Sequence, residues 1–255
     1  MMSQKELPVL SVSNLKKRYK TNEAVRGISF EVMKGEIFGI IGENGCGKTT
    51  TIESILGIRI PDDGNISVLG FNPIRASSAV RKKLFNMVGV QFQETRYQDK
   101  IKVMEVCECV SSYYESPLDW KRLIKDMDLD LKKSSFVAQL SGGQKQRLAI
   151  VLSLIPNPQL VFLDELTTGL DPKARRKIWE YLKNLQKKGL TIVLTSHYMD
   201  EVEYLCTRIA VMKKGLITAQ GTPQELVKKH GTKNLEETFL KYMDEFEEKG
   251  ESDDE

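Results

Sequence analysis

The chain has 255 residues, enough for one globular domain with a sizeable core and an inserted lobe. Its net charge of +3, with basic residues spread along the chain, gives no argument for a nucleic-acid partner. No stretch approaches the roughly 18 apolar residues that cross a bilayer, and the first residues lack the apolar core of a signal peptide. The composition therefore predicts a soluble protein of the cytosol, and a second polypeptide would have to supply any membrane spans.

The first part of the chain is predicted to form strands and turns that lead to a glycine-rich loop. Apolar and polar residues alternate from Val9 to Leu15, as in a half-buried strand. The apolar run from Glu36 to Ile41 is typical of a strand buried on both faces. A helix is predicted to begin near Lys48, followed by a turn at 61–64 and a strand at 66–69.

The middle of the chain changes character twice. Residues 95–136 are polar and lysine-rich, and their pattern predicts an inserted helical lobe that is interrupted at Pro117. Strands of a parallel sheet are predicted again at 159–163 and 190–195. Between them, a helix is predicted with Asp171 as its cap and Pro172 in its first turn.

The last part of the chain is predicted to be helical. The segment Thr222–Glu225 is a capping box with proline at the first helical position, and Gly231 suits the end of that helix. Leu235, Phe239, Tyr242 and Phe246 then recur at helical spacing, which predicts a terminal helix docked on the body. From about Glu247 the chain is acidic, and we expect it to be disordered.

The glycine-rich loop fits the phosphate-binding pattern G-x-x-x-x-G-K-[ST], placed after a predicted strand and before a helix. Its backbone N–H groups and the positive end of the helix suit phosphate oxygens. Lys48 is expected to bridge the β- and γ-phosphates, and Thr49 to hold Mg²⁺. The residues expected to bind nucleotide are Gly42, Glu43, Asn44, Gly45, Cys46, Gly47, Lys48, Thr49 and Thr50.

The cysteines are expected to be reduced thiols. Cys46, Cys107, Cys109 and Cys206 match no zinc-binding spacing. Cys46 lies among the loop N–H groups and near Lys48, an environment expected to lower its pKa. Alkylation of this thiol is therefore predicted to block ATP hydrolysis, with bound nucleotide protecting it.

A second chemical element is the apolar strand predicted before Asp164 and Glu165. Asp164, at the carboxyl end of this strand, is expected to hold Mg²⁺ through water. Glu165 would point at the γ-phosphate and polarise the attacking water as a general base. Acidic residues often end strands, so the pair becomes informative only together with the phosphate loop upstream.

The most specific motif is Leu140–Gln144, followed by Lys145–Ala149, and with it the chain resembles the ATP-binding cassette (ABC) family. Ser141 caps a helix start, and two glycines leave the N–H groups open to an anion. The resemblance implies an α/β P-loop NTPase fold, RecA-like, with a parallel-sheet core, an N-terminal antiparallel β subdomain and an inserted helical subdomain. The ATPase domain would span 1–232, with the helical lobe at about 95–155, and 233–255 would form a terminal helix and acidic tail.

The resemblance also implies a head-to-tail dimer that encloses two ATP molecules. Each signature segment, Ser141, Gly142, Gly143 and Gln144, would close over the nucleotide held by the other subunit. Ser141 and Gly143 would contact the γ-phosphate, and Asp171 would lie in the segment that crosses the interface. A homodimer is favoured because both halves of the site look intact, and pairing with a related chain stays open.

Further positions match the family residue by residue. Tyr19 resembles the aromatic that stacks on adenine, with a surface tyrosine of a strand as the alternative. Gln93 resembles the glutamine that reaches Mg²⁺ and the water, with Gln91 as a rival for that role. His197 resembles the histidine that hydrogen-bonds the γ-phosphate and orients Glu165. Leu166 departs from the family, since proline is usual after the catalytic glutamate.

The segments 195–203 and 206–212 are similar to ATPase subunits of two-component exporters. That similarity implies an integral membrane permease contacting the helical lobe after Gln93, and a cytoplasmic location on the inner face of the membrane. A soluble ABC ATPase of translation or DNA repair is one alternative. Such proteins usually carry two cassettes or a long coiled coil, whereas here there is one phosphate loop and one signature. The ATPase subunit of a solute importer is the other alternative.

Overall fold

The computed structural model describes residues 7–92, 97–98, 100–129, 135–167 and 169–251, with side chains through 244. Its strands are β1 (Leu10–Tyr19), β2 (Asn22–Val32), β3 (Ile37–Ile41), β4 (Asp63–Val68), β5 (Val88–Gln91), β6 (Leu160–Asp164), β7 (Thr191–Ser196), β8 (Arg208–Lys213) and β9 (Leu216–Gly221). Its α-helices are α1 (Lys48–Ile55), α2 (Ser78–Phe85), α3 (Val103–Ser112), α4 (Trp120–Asp126), α5 (Gly142–Leu154), α6 (Pro172–Lys187), α7 (Met199–Leu205), α8 (Pro223–His230) and α9 (Leu235–Glu251). The chain divides into two compact units, residues 1–74 with 195–255, and residues 75–194.

The first unit contains a three-stranded antiparallel sheet in the order β2-β1-β4. The predicted alternation holds from Leu10 to Ser13, where Leu10 and Val12 are buried between more exposed neighbours, and an irregularity in the strand pairing between Val12 and the buried Leu15 interrupts it. The predicted turn at 61–64 overlaps the start of β4. This sheet confirms the antiparallel β part of the predicted fold.

The same unit contains the strand that carries the phosphate loop. All five residues of β3 are buried, and β3 pairs in parallel with β8, from Phe38 opposite Arg208 to Ile41 opposite Val211. Strand β9 pairs antiparallel with β8. Helices α8 and α9 occur where they are predicted, and α9 continues to Glu251, beyond the predicted start of the acidic tail.

The second unit is built on parallel strands covered by helices. Strands β5 and β6 pair in parallel, from Val88 opposite Leu160 to Gln91 opposite Leu163, and β7 is the next strand beyond β6. Helices α3 and α4 lie in the predicted helical lobe, on either side of Pro117. Parallel strands with helical connections confirm the α/β class. Within the described ranges, every helix falls short of the length and apolarity needed to cross a bilayer.

Candidate functional site

The phosphate loop connects β3 to α1. At two of its positions only glycine fits, because a Cβ atom would collide with neighbouring backbone. A Cβ atom at Gly42 would lie 2.2 Å from the carbonyl oxygen of Met212. Gly47 has φ 109° and forms the start of α1, and a Cβ there would lie 2.3 Å from the carbonyl oxygen of Ala24. The loop is therefore packed against neighbouring backbone on its inner side, which fixes its curvature.

We expect Gly47→Ala to destabilise the protein more than Gly45→Ala. Both positions have positive φ, so alanine costs about 1–2 kcal/mol of backbone strain at each. A Cβ at Gly45 meets nothing within 4 Å, whereas at Gly47 overpacking adds about 1–3 kcal/mol. Urea unfolding of the two variants measures the difference. Equal losses of the free energy of unfolding would show that the contact with Ala24 does not constrain the loop.

The side chain of Lys48 contacts the backbone of the phosphate loop that precedes it. Its side chain is buried, and Nζ donates hydrogen bonds to the carbonyl oxygens of Gly42 (2.8 Å) and Glu43 (3.0 Å). The ammonium is thus held at the mouth of the α1 N-terminus, where anions are favoured. Thr49 is exposed in the first turn of the helix, and Thr50 beside it is half-buried. This cation and helix start can bind phosphate groups.

The expectation of a lowered pKa for Cys46 is wrong. Burial raises the pKa of this thiol, and the nearby Lys48 ammonium offsets only part of that effect. The side chain is only 6% exposed and packs beside Gly42 on the inner side of the loop. Because the thiol packs against other protein atoms, its charged form would lose contact with water. This cost outweighs the attraction of the thiolate to the Lys48 ammonium.

We expect Cys46 to react with iodoacetamide at least tenfold more slowly at pH 7 than the exposed Cys109. The thiolate is the reactive form, so a raised pKa and burial both slow the reaction, and the rate should increase with pH. Mass spectrometry of labelled peptides at pH values from about 6.5 to about 9, a range that approaches ordinary thiol pKa values, measures both rates. Urea-unfolded protein, in which these thiols lose their different environments, is the control. Equal labelling of the two thiols in the folded chain at pH 7 would contradict the raised pKa.

Tyr19 lies at the end of β1, and two cations lie near its ring. Lys17 Nζ and the guanidinium of Arg59 are each 5.5 Å from the centre of its ring. A separate cleft of about 400 Å³ in the same unit is lined by residues 21–24, Arg26, Gly45 and the turn 214–215. The cleft includes a residue of the phosphate loop, so there is room beside the loop for a ligand. Stacking of Tyr19 on adenine stays a prediction.

His197 occupies a turn that side chains hold in place. It is exposed just after β7, and its ring centre lies 4.1 Å from that of Tyr198. Ser196 Oγ accepts a hydrogen bond from the Tyr198 N–H (3.0 Å) and donates to the fully buried carboxylate of Glu201 (2.5 Å). These contacts fix the backbone on both sides of His197. Glu201 is not among the residues predicted for the site, and the signal for it in the sequence is its place as the third residue of α7.

In the second unit, β6 ends at Asp164, which is 1% exposed, and Glu165 follows with φ 51°. A positive φ is uncommon for a residue other than glycine, and such strain is characteristic of functional sites. Gln91 is 2% exposed, and its Nε2 donates to the carbonyl oxygens of Phe92 (2.9 Å) and Asp164 (3.2 Å). Gln91 thus contacts the backbone of the acidic strand end, while Gln93, the favoured metal ligand, lies outside the described residues.

The donors proposed for Mg²⁺ suit an ion that arrives with a nucleotide. The described residues contain no group of three or more His, Cys, Asp or Glu side chains able to hold a metal. Mg²⁺ is usually bound by one or two protein oxygens together with substrate phosphates and water. Thr49 and Asp164 supply a hydroxyl and a carboxylate of this kind. Each lies in a different unit, and their role as ligands stays a prediction.

The signature segment forms a helix start with a reciprocal cap. Ser141 Oγ accepts from the Gln144 N–H (3.2 Å), and the Ser141 N–H donates to Gln144 Oε1 (2.9 Å). Ser141 and Gly142 are exposed, and a Cβ at Gly142 would meet nothing within 4 Å. A Cβ at Gly143 would come within 3.1 Å of the Leu170 side chain. The start of α5 therefore offers N–H groups to a ligand outside the unit.

Asp171 caps α6, as the sequence predicts. Its carboxylate accepts hydrogen bonds of 3.0 Å from the N–H groups of Lys173 and Ala174. The bond from Ala174, then that from Lys173, holds the pKa of this carboxyl below its ordinary value. Arg147 also lines the cavity of about 310 Å³ beside Asp171. That Asp171 lies in a segment that crosses a dimer interface stays a prediction.

Two groups of predicted residues thus emerge. The first unit brings the phosphate loop, Tyr19 and His197 into one compact body. The second unit contains Asp164 and Glu165, the signature segment 141–144 and Asp171. Gln146, which the sequence analysis did not single out, lies on α5 and donates to the carbonyl oxygens of Glu165 and Leu166.

Comparisons with known proteins agree with this geometry. A family model described as ABC transporter matches residues 25–168. Nod factor export ATP-binding protein I of Ralstonia nicotianae is 39% identical over 225 residues, which cover 86% of this chain and 69% of that protein. A structure described as the ATP-binding subunit of an ABC transporter has a TM-score of 0.82 and 26% identity, covering 92% of this chain and 99% of the other. CbiO1 of Clostridium perfringens, described as part of the ABC transporter complex cbiONQ, has a TM-score of 0.73 and 30% identity, covering 88% and 92%.

A phosphate loop between a buried parallel strand and a helix defines the class of P-loop nucleotide hydrolases. The family match over more than half of the chain, with the 39% identity, shows that the chain belongs to the ABC transporter family. It is an ATPase whose hydrolysis of ATP is coupled to transport. The predicted fold, ATPase activity and family are therefore confirmed.

Proposed function

We propose that two copies of this chain form a head-to-tail dimer around two ATP molecules and drive a separate membrane permease that exports its substrate. The observation that carries the proposal is the presence of two helix starts suited to anions, at α1 and α5. The α1 start holds a buried lysine, and the α5 start presents exposed Ser141 and Gly142. A second copy would bring its own α5 start to the nucleotide that α1 holds.

In the proposed reaction, the phosphate loop and Lys48 bind the β- and γ-phosphates, and Tyr19 stacks on adenine. A bound Mg²⁺ would neutralise phosphate charge, with Thr49 and Asp164 as its protein donors. Glu165 accepts a proton from the water that attacks the γ-phosphorus, the bond to the bridging oxygen breaks, and ADP leaves. His197 donates a hydrogen bond to the γ-phosphate, and Ser141 and Gly143 of the partner copy hold it from the other side.

The proposal of export rests on the relatives. The protein of Ralstonia nicotianae and that of Rhizobium sp. (strain N33), also 39% identical and covering 87% of this chain, are both named for Nod factor export. Because these relatives are named for export, we favour an exporter over a soluble ABC ATPase and over the ATPase subunit of a solute importer. The helical lobe after Gln93 would receive the permease on the cytoplasmic face of the membrane, and dimer closure would shift that lobe.

The test is a purification of tagged Glu165→Gln protein in detergent from its native host, with mass spectrometry of the proteins that accompany it. We expect a multi-span membrane protein in stoichiometric amount. The Lys48→Ala protein, expected not to close on ATP, is the matched control for recovery that depends on nucleotide. Recovery of ribosomal or DNA-repair proteins without a membrane partner would overturn the transport assignment and leave the nucleotide chemistry unchanged.

A further inference from the structure

Three successive backbone carbonyls at the end of β6 bind side-chain amides. Gln91 Nε2 donates to Asp164 O at 3.2 Å, and Gln146 Nε2 donates to Glu165 O at 3.3 Å and Leu166 O at 2.6 Å. The two glutamines come from different elements, β5 and α5. The backbone around Glu165 is therefore held from two directions through carbonyl oxygens.

The register of the parallel pair explains the contact from Gln91. Gln91 is the last residue of β5 and lies opposite Leu163. Leu163 immediately precedes Asp164 in β6. Its side chain continues the hydrogen bonding of the strand pair by one residue and also donates to Phe92 O at 2.9 Å. Because Nε2 faces two carbonyl oxygens, the opposite placement of the amide would set oxygen against oxygen, which fixes its orientation.

The backbone of Glu165 needs such support. Its φ of 51° is an unfavourable conformation for a side chain with a Cβ, and it persists only where neighbouring contacts determine it. This conformation decides in which direction the carboxylate leaves the end of β6. Gln91 binds the carbonyl before Glu165, and Gln146 binds the carbonyls of Glu165 and of the residue after it, so both peptide planes are fixed.

We propose that Gln91 and Gln146 are positioning residues that hold the Glu165 carboxylate in its reactive direction. Gln146 lies on α5, four residues after Gly142, so the helix that begins with the signature segment is bonded directly to the backbone of Glu165 in the same chain. A small shift of α5 would be transmitted to that carboxylate. The proposal rests on the proposed role of Glu165 as general base.

The experiment replaces each glutamine by methionine, which keeps an unbranched chain of similar length and removes the donors. We expect Gln146→Met and Gln91→Met each to lower kcat for ATP about ten- to hundredfold, since small misplacements of a reacting group have effects of this size. The Kd for ATP should stay within about twofold, because both amides donate to backbone carbonyls and neither residue belongs to the phosphate loop or to segment 141–144. Steady-state hydrolysis at saturating ATP and titration with a fluorescent ATP analogue measure the two quantities.

The matched control is Gln220→Met, which removes an amide-to-carbonyl hydrogen bond of 2.9 Å to Ser29 O within the first unit. It should leave kcat unchanged. If the Gln91 variant does not fold, Gln146→Met carries the test alone, since that side chain is only half-buried. A kcat within about twofold of wild type, or a matching loss of kcat, ATP affinity and thermal stability, would overturn the positioning role. Full turnover by Glu165→Gln would instead overturn the role of Glu165 itself, so the two failures are distinguishable.

Discussion

Glu165→Gln should lower ATP turnover by about 10²–10⁴-fold while leaving ATP binding intact. A positioned general base contributes rate enhancements of this order, and the amide cannot accept the proton of the attacking water. The substitution keeps the shape of the side chain, and the backbone contacts from Gln91 and Gln146 do not involve the carboxylate. Phosphate release from radiolabelled ATP measures turnover, and titration with a fluorescent analogue measures binding.

The same variant tests the proposed dimer. ATP that is bound and not hydrolysed should hold two copies together, so light scattering after gel filtration in ATP and Mg²⁺ should give twice the mass of one chain. Glu203→Gln, on the exposed face of α7, is the matched control and should hydrolyse ATP at the wild-type rate. A monomer of Glu165→Gln under these conditions would count against closure by a partner's signature segment. Wild-type turnover would remove Glu165 from the reaction.

Lys48→Ala should weaken ATP binding by about a hundredfold or more. A charged hydrogen bond contributes about 1.5–3 kcal/mol, and each 1.4 kcal/mol is a factor of ten in affinity. Two phosphate contacts from one ammonium account for the expected loss. In this structure the same Nζ donates to the carbonyl oxygens of Gly42 and Glu43, so its removal also releases two contacts within the loop. Isothermal titration with ATP in Mg²⁺ measures the affinity.

The control for charge is Lys229→Ala, on the exposed face of α8, which removes one positive charge far along the chain from the loop. Its ATP affinity should match that of the wild type. Thermal unfolding of both variants without nucleotide separates loss of binding from loss of folding. Unchanged ATP affinity in a folded Lys48→Ala protein would exclude the predicted phosphate contact.

The sequence determined those features in which residue type and local spacing carry the physics. The loop 42–49 needs glycines for its curvature and a lysine at the helix start, and the structure has both, with Gly47 in a positive φ and Lys48 buried. Period-two alternation and apolar runs predicted β1, β3 and β6, since burial on one or both faces follows from that pattern. Asp171 and Ser141 were recognisable as caps because a cap acts within three residues of itself.

Only the tertiary structure decided how segments far apart in the chain affect one another. The Cys46 pKa is raised because burial outweighs its neighbouring cation, and the local sequence shows the cation alone. Gln91 and Asp164 are 73 positions apart in the chain, and their hydrogen bond exists because β5 pairs with β6 in a particular register. Gln146 reaches the same turn from α5, and Glu201 holds the turn of His197 from within the next helix. Hydrogen bonds of this kind depend on packing distances and register, which local propensity does not encode.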